Sequence, residues 1–202
     1  ADYYSGGLVI ELPLQRKRIT DLEKIDPKFR IKSNGDIEVS AEIKTQLGSI
    51  IKSVTISTSS EKISLSYSFL NWDRLFGTIR LGVLTFLNHF VSGKTTLSCC
   101  NGGENSEVFI LEGKIDHTRP ASTLVSSSRG LGATTGSIKI ENFDKTINLD
   151  WNPAECAVMP MLLNVSSGEN CLSRLFFSMK EFDDTSKAPS NIGSFSLNIS
   201  AS

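Results

Sequence analysis

Apolar and polar residues alternate with a period of two along most of this chain. The cleanest run carries Ile63, Leu65, Tyr67 and Phe69 with serines between them. Such alternation predicts a β-strand that packs one face and exposes the other. The same pattern predicts strands at Gly7–Leu12, Ile37–Ile43, Val54–Ser57, Thr78–Phe86, Glu107–Leu111, Ser137–Ile140, Thr146–Leu149, Ser173–Met179 and Ser194–Ile199. We therefore expect about ten to twelve strands.

Turn-forming residues separate these runs. They occur at Ser33–Asp36, Ser92–Lys94, Asn101–Gly103, Ser167–Glu169 and Lys187–Ser190. No helical period is sustained for three turns. A sheet with one apolar face needs a second layer to cover it, so the pattern predicts an all-β, antiparallel β-sandwich or a larger super-sandwich.

The chain of 202 residues shows no fixed-period repeat, linker or shift in composition. We therefore expect a single domain over residues 1–202, large enough to bury roughly 70% of its unfolded surface. Strand-like sequence close to both ends would suit a domain excised from a longer polypeptide, although a small complete protein would look the same.

The charge balance excludes some partners. Lysine plus arginine number 21 and aspartate plus glutamate 22, for a formal net charge of −1. This balance offers no general attraction to nucleic acid or anionic lipid. The longest apolar runs are far shorter than a transmembrane helix, so we expect a soluble chain without nucleic-acid or membrane partners.

The cysteine pattern argues against a metal site. Cys99, Cys100, Cys156 and Cys171 lack paired CxxC spacing, and the chain has only two histidines. We expect buried free thiols and neither metal nor cofactor, with a Cys156–Cys171 disulfide left open.

The segment 101–136 combines unusual backbone with reactive side chains. Its glycines predict positive φ angles or close approach of another group: Gly102, Gly103, Gly130, Gly132 and Gly136. Near them in sequence stand Glu104, Glu107, His117 and Arg129. Amides of the Asn101 turn and one of these carboxylates could bond sugar hydroxyls at a sheet rim. The alternatives are a hairpin turn with solvated acids and a structural role for His117.

Two tryptophans are further candidates for sugar contact. Trp72 and Trp151 each stand beside an acid and an amide, which suits stacking on a sugar ring; the alternative for both is packing in the interior. The serine-rich stretch before Gly132 lacks the spacing of a phosphate-binding loop, and no GxSxG motif occurs. Arg174 lies among apolar residues and needs a partner if buried, with Glu181 and Asp183 as candidates.

Several short motifs follow one another along the chain: Ser5–Glu11, Arg18–Leu22, Gly77–Gly82, Asn101–Gly103 with Glu107, His117, Leu124–Gly136, Arg174–Ser178 with Glu181, and Asp183–Thr185. This succession resembles the C-terminal β-domain of family 57-type glycoside hydrolases and their relatives.

The resemblance implies a galactose-mutarotase-like super-sandwich attached to a catalytic barrel. In that family the nucleophile and the acid belong to the barrel, so this chain would not itself be the hydrolase. It would support the catalytic domain, shape its cleft or hold polysaccharide. Cys100 stands where a histidine is expected beside the Asn-Gly-Gly turn, which argues against mutarotase-type acid–base chemistry.

Three functional hypotheses follow. The first is a non-catalytic carbohydrate-associated domain of a polysaccharide-degrading enzyme, with Asn101, Glu104, Glu107, His117, Arg129 and Trp151 contacting the glycan. The second is an aldose-epimerase-like enzyme that uses Glu107 and His117 as base and acid. The third is a structural domain that binds only other protein domains.

Overall fold

The computed structural model describes residues 6–72, 77–91, 95–111, 128–167, 170–181 and 193–202, without the side chains of residues 88–89, 128–129, 165–167 and 170–172. Regular structure in these ranges is almost entirely β-strand. In chain order the strands are β1 Gly7–Leu12, β2 Lys17–Thr20, β3 Lys28–Ile31, β4 Ile37–Thr45, β5 Gly48–Ile56, β6 Lys62–Leu70, β7 Thr78–Leu87, β8 Thr96–Cys100, β9 Ser106–Ile110, β10 Ser128–Gly130, β11 Ser137–Asn142, β12 Lys145–Asp150, β13 Met159–Ser167, β14 Asn170–Lys180 and β15 Ser194–Ala201. A four-residue helix, α1 Asn88–Val91, and a 3₁₀ turn, Pro13–Gln15, complete the described elements.

The strands form two antiparallel sheets. The six-stranded sheet has the order β10-β13-β14-β7-β1-β2, and the nine-stranded sheet has the order β3-β4-β5-β6-β15-β12-β11-β8-β9. All the strand pairs described are antiparallel. The predicted antiparallel sandwich is confirmed.

The core lies between the two sheets and is built by the alternation seen in the sequence. Tyr67, Phe177 and Phe195 are almost completely buried. The Phe177 ring centroid lies 5.4 Å from that of Phe195 and 5.2 Å from that of Trp151, in tilted and edge-on geometry. At Gly82, where β7 departs from regular pairing with β14, φ is +58° and an added Cβ would lie 3.2 Å from the Phe177 ring. Glycine thus allows the strand to bulge over a large aromatic side chain.

The alternation of apolar and polar residues did not predict β2, β3 or β13, and each of these strands has a feature that weakens its pattern. β3 alternates charged and apolar residues over only four positions, Lys28–Ile31, and all four are exposed, so neither face of the strand is buried. β13 contains Pro160, a residue that usually argues against a strand, and it pairs on one side with the three-residue β10. β2 is an edge strand, where only one neighbour is needed.

The predicted Ser33–Asp36 turn is confirmed. Gly35 adopts φ +87°, and Lys32 donates its N–H to the carbonyl of Asp36 at 2.8 Å. The predicted turns at Ser92–Lys94 and Lys187–Ser190 lie outside the described residues, as does most of the turn at Ser167–Glu169.

The cysteines described are free thiols. Cys99 and Cys156 are buried and Cys100 is half-buried, so Cys156 forms no disulfide. Burial raises the pKa of the Cys156 thiol to about 11. The expected buried thiols are confirmed for Cys99 and Cys156, and both therefore stay protonated at neutral pH.

A buried ion pair links the chain after β2 to the nine-stranded sheet. The Asp21 side chain is 1% exposed and accepts a hydrogen bond from Lys52 at 2.5 Å and another from the Leu8 N–H at 3.1 Å. The Lys52 ammonium is 22% exposed and lies 5.9 Å from the centroid of the Tyr67 ring. The Lys52 ammonium and the Asp21 carboxylate therefore compensate each other's charge at a site with little solvent access.

A second ion pair lies on the six-stranded sheet. Arg80 donates two hydrogen bonds to Glu181, at 3.1 and 2.9 Å, and the Ser178 hydroxyl donates a third at 2.6 Å. The prediction that Glu181 pairs with Arg174 is wrong, because Arg80 approaches Glu181 from the adjacent strand. Arg174 Nε is buried without a hydrogen-bond partner among the described residues, and Asp183 lies outside them.

This pair gives stability a measurable pH dependence. Burial opposes ionisation of Glu181, but the hydrogen bonds from Arg80 and Ser178 and the Arg80 charge outweigh it and lower the pKa below its usual value. A lowered carboxyl pKa stabilises the fold above the ordinary glutamate pKa, and that stability is lost as pH falls through the folded-state value. Because the Glu181 side chain is 44% exposed, we expect Glu181→Gln to cost about 0.5–1 kcal/mol at pH 7, with the cost shrinking below about pH 4.

Urea unfolding of both proteins at pH 7 and pH 3.5 measures this difference. Glu141→Gln is the matched control, because its carboxylate is exposed to a similar degree but pairs with the ammonium of Lys139 instead of accepting the three hydrogen bonds that Glu181 accepts from Arg80 and Ser178, so it should contribute little. An equal loss for Glu181→Gln at both pH values would show that the effect is steric and does not come from the carboxylate charge.

Candidate functional site

The predicted glycine-rich rim lies where the chain passes from one sheet to the other. β10 belongs to the six-stranded sheet and β11 to the nine-stranded sheet, and the connecting residues 131–136 run past the turn between β8 and β9. Leu131 is anchored by its N–H to the carbonyl of Pro160 at 2.8 Å. Leu131 and Ala133 are buried, so the connection is packed on the core at two points.

Thr134 ties this connection to the β8–β9 turn. Its N–H and its hydroxyl both donate to the carbonyl of Cys100, at 2.9 and 3.1 Å, and its hydroxyl accepts the N–H of Gly102 at 2.7 Å. Gly102 adopts φ +70° in the turn and Gly136 adopts φ +73° at the end of the connection. These two predicted positive φ angles are confirmed.

Gly132 provides the predicted close approach. A Cβ on this residue would lie 2.4 Å from the side-chain carbon and oxygen of the Asn101 carboxamide. A Cβ this close would push the Asn101 side chain out of its present place, so glycine is what lets the carboxamide lie against the connection. The position of the Asn101 amide therefore depends on a residue 31 positions later in the chain.

Strand register places Glu107 on the inner face of the nine-stranded sheet. Glu107 pairs with Cys99, and the next residue on that face, Phe109, pairs with Leu97. Leu97 and Cys99 are buried, but Glu107 is exposed because β9 is the edge strand. Asn101 Nδ2 lies 3.5 Å from Glu107 Oε1, a long contact that leaves most of the carboxylate's acceptor capacity unused.

We call Asn101, Glu107 and Thr134 the polar rim. Burial, followed by the negative charge of Glu107 and the neighbouring Cys100, raises the pKa of the Cys99 thiol, so this thiol stays protonated at neutral pH. The Asn101 carboxamide can donate and accept hydrogen bonds and the Glu107 carboxylate can accept them. The Thr134 hydroxyl keeps one acceptor site, because it already donates to Cys100 and accepts from Gly102. The half-buried Phe109 ring lies on the same face as Glu107 and adds an apolar surface.

The structure separates the other predicted site residues. Glu104 is exposed in the same turn as Asn101. His117 lies outside the described residues, and of Arg129 only the backbone on β10 is described. Trp151 reaches the connection only through its backbone, whose N–H bonds the carbonyl of Gly136 at 2.8 Å.

Both tryptophan rings are packing residues. Trp151 is 6% exposed and its ring lies against Phe177, so it presents no free face at the polar rim. Trp72 is 9% exposed, packs edge-on against Phe69 and donates Nε1–H to the carbonyl of Ser49 at 2.9 Å. For both tryptophans, the alternative of packing in the interior is therefore the one that the structure shows.

Thr134 and Phe109 are rim residues that sequence reasoning did not select. A hairpin in which Asn101–Asn105 form the turn fixes the pairing of Cys99 with Glu107, and alternation then carries Phe109 to the inner face. That signal was available in the sequence. The contact of Thr134 with Cys100 was not, because it joins chain segments 34 residues apart.

A separate groove lies at the opposite side of the sandwich. It has a volume of about 400 Å³ between β2 and the β4–β5 turn. Its walls include Lys17, Thr20, Lys44 and Gln46 over a floor of Ile19 and Ile43, and it contains none of the predicted site residues.

Two further findings concern the described ranges alone. No group of three or more histidine, cysteine, aspartate or glutamate side chains there could hold a metal ion. None of the helices there has the length and apolar character needed to cross a bilayer.

Solved structures of known proteins share this arrangement of strands. A putative aldose 1-epimerase from Escherichia coli K12 matches with a TM-score of 0.51 over 88% of this chain and 68% of its own, at 12% sequence identity. The fold is a galactose-mutarotase-like sandwich. The α-galactosidase from Lactobacillus brevis has the same type of sandwich over 96% of this chain, with a TM-score of 0.53 and 7% identity. The galactosidase domain of the α-galactosidase-sucrose kinase AgaSK matches over 100% of this chain, with a TM-score of 0.52 and 12% identity.

The mutarotase-like sandwich occupies only part of the galactosidases. This chain spans 28% of the Lactobacillus brevis enzyme and 30% of the AgaSK galactosidase chain. No family model and no curated protein matches the sequence. The likeness therefore establishes the fold, and the finer resemblance to family 57-type glycoside hydrolases stays a prediction.

Proposed function

We propose that this chain is a non-catalytic, carbohydrate-associated domain of a polysaccharide-degrading enzyme, and that it holds glycan at the polar rim. The observation that carries the proposal is the convergence of Asn101, Glu107 and Thr134 at an exposed sheet edge, fixed by the close approach of Gly132. Sugar rings offer adjacent hydroxyls that act as donors and acceptors together with apolar C–H faces, and this rim presents the complementary groups.

The inner face of the nine-stranded sheet supports a binding role over a catalytic one. Along the strands described, that face is mostly apolar, and Lys52 is already bonded to Asp21. Tyr67 donates its hydroxyl to the carbonyl of Gly6 at 2.7 Å. Among the described residues, none stands opposite Glu107 as a second acid–base group within hydrogen-bond distance.

Calorimetric titration with linear α-glucan oligosaccharides, followed by other oligosaccharides, tests the proposal. We expect saturable binding by the wild-type chain and roughly five- to 150-fold weaker binding by an Asn101→Ala, Glu107→Ala double variant, because each truncated group removes about 0.5–1.5 kcal/mol of hydrogen bonding. Lys44→Ala in the separate groove is the control and should bind as wild type does. Equal binding by the double variant would contradict the assignment of the rim.

Two other outcomes would favour the other hypotheses. Accelerated mutarotation of a hexose, followed by polarimetry and abolished by Glu107→Gln, would favour an aldose-epimerase-like enzyme with His117 as the second group. The match to an aldose 1-epimerase fold is the reason to include this assay. Tight association with a catalytic domain, without affinity for any glycan, would favour a structural domain.

The close approach of Gly132 gives a sharper test of the same site. We expect Gly132→Ala to weaken glycan binding by about two- to tenfold, the worth of one hydrogen-bonding group, because its methyl group must displace the Asn101 carboxamide or the connection. Gly103→Ala is the matched control, since an added Cβ there has its nearest neighbour 4.0 Å away. Calorimetry measures binding and thermal unfolding checks the fold. Unchanged affinity in a folded Gly132→Ala variant would remove Asn101 from the site.

A further inference from the structure

The inner face of the nine-stranded sheet carries large apolar residues that the described part of the chain leaves exposed. At the corner formed by β3 to β6, Phe29 is 72% exposed and Ile31 is 76% exposed. Ile37, Ile56 and Ile63 are 39%, 43% and 41% exposed. We call these five residues the apolar row.

Strand register shows that the row is continuous. Ile31 pairs with Ile37, Ile37 pairs with Ile56, and Ile56 pairs with Ile63, so four isoleucines cross four adjacent strands on one line. Phe29 lies two residues before Ile31 on the same face. The buried Leu65 lies two residues beyond Ile63 on that face, so the row extends the main core into solvent.

The apolar row exposes a surface of several hundred square ångströms. The five exposed fractions amount to about 2.7 whole residues, which corresponds to roughly 400–550 Å² if a large apolar side chain presents ~150–200 Å². Soluble monomers seldom expose larger contiguous apolar patches, and patches of this size are frequently functional.

We propose that the apolar row is the centre of a two-fold symmetric, face-to-face interface with a second copy of this chain. Two copies would bury about 800–1,100 Å² of apolar surface, and an interface that is about 65% apolar would then total roughly 1,200–1,700 Å². That total falls in the range of specific, stable protein interfaces.

The charges present favour this occupant and this geometry. The row contains no charged side chain, and the chain's net charge of −1 adds little repulsion between copies. Lys28 and Arg30 lie on the edge strand β3, where exposed cations oppose extension of the sheet by a second β3. The contact is therefore made by the face of the sheet and not by its edge. This inference stands independently of the proposed carbohydrate function.

Sedimentation equilibrium over about 1–200 µM protein tests the interface. The test variant is Ile56→Thr with Ile63→Thr, since threonine keeps the β-branched shape favoured in strands but removes apolar contact. The control is Val108→Thr with Ile110→Thr, two residues that are each 62% exposed and lie on the outer face of β9. We expect the wild type and the control to dimerise alike, and the test variant to dissociate at least roughly tenfold more readily.

Circular dichroism melting shows whether each variant is folded, and Ile31→Thr at the opposite end of the row gives an independent readout. A wild type that stays monomeric at the highest concentration would overturn the proposal and leave the row to a different protein partner. Equal weakening by the test and control variants would also overturn it, because association would then be unspecific.

Discussion

Phe177→Ala should destabilise the fold by about 3–5 kcal/mol, the range measured when a buried aromatic residue is truncated. The ring is completely buried and contacts Trp151 and Phe195 at once, so the cavity would open at the centre of the sandwich. Gly82 forms another wall of that cavity, and its bulged backbone has no side chain that could fill it. The loss comprises removed apolar contact and two edge-on or tilted ring contacts.

Urea unfolding followed by tryptophan fluorescence measures this loss, because Trp151 reports directly on the same cluster. Phe143→Ala is the matched control: this phenylalanine is 85% exposed, and its truncation should change stability by less than about 0.5 kcal/mol. Phe177→Leu should recover part of the loss. Similar stabilities for Phe177→Ala and Phe143→Ala would mean that the two sheets do not meet through Phe177.

Lys52→Met should lower the free energy of unfolding by about 3–5 kcal/mol, because it removes the cation bonded to a carboxylate that is 1% exposed. Asp21→Asn should cost less. Its amide oxygen can still accept the Leu8 N–H, and the Lys52 ammonium is 22% exposed, so it can turn toward water. This asymmetry follows from the different solvent access of the two partners.

The double variant Asp21→Asn, Lys52→Met separates the charge effect from the packing effect. It should be more stable than Lys52→Met alone, because no uncompensated buried charge remains. Chemical unfolding of the four proteins forms a double-mutant cycle, and the coupling energy is the quantity of interest. Additive losses would show that the two side chains do not interact in solution.

The sheet architecture was accessible from sequence because alternation is a local property. The run from Ile63 to Phe69 predicts both a strand and its buried face, and the structure buries Leu65, Tyr67 and Phe69. The exposed Ile63 breaks that rule. Ile63 lies at the end of a row of exposed isoleucines that spans β3 to β6, and which end of a strand is covered depends on tertiary packing that no local pattern encodes.

Only part of the candidate site could be predicted from the sequence. Asn101 and Glu107 belong to one hairpin, so their proximity follows from a short turn and its register. The contribution of Thr134 and Gly132 depends on a connection between sheets that returns to that hairpin. Trp151 was misplaced as a sugar contact because an indole beside polar neighbours has the same sequence signature whether its ring points outward or, as here, toward Phe177.

Chemical-shift titration of the ¹⁵N-labelled chain with a linear α-glucan hexasaccharide would show both whether the chain binds glycan and where. We expect saturable changes at the backbone amides of Gly102, Glu107 and Thr134, and none at Lys44 in the separate groove. Absence of saturable change with any oligosaccharide, or changes confined to residues away from Asn101, Glu107 and Thr134, would contradict a carbohydrate site at the polar rim.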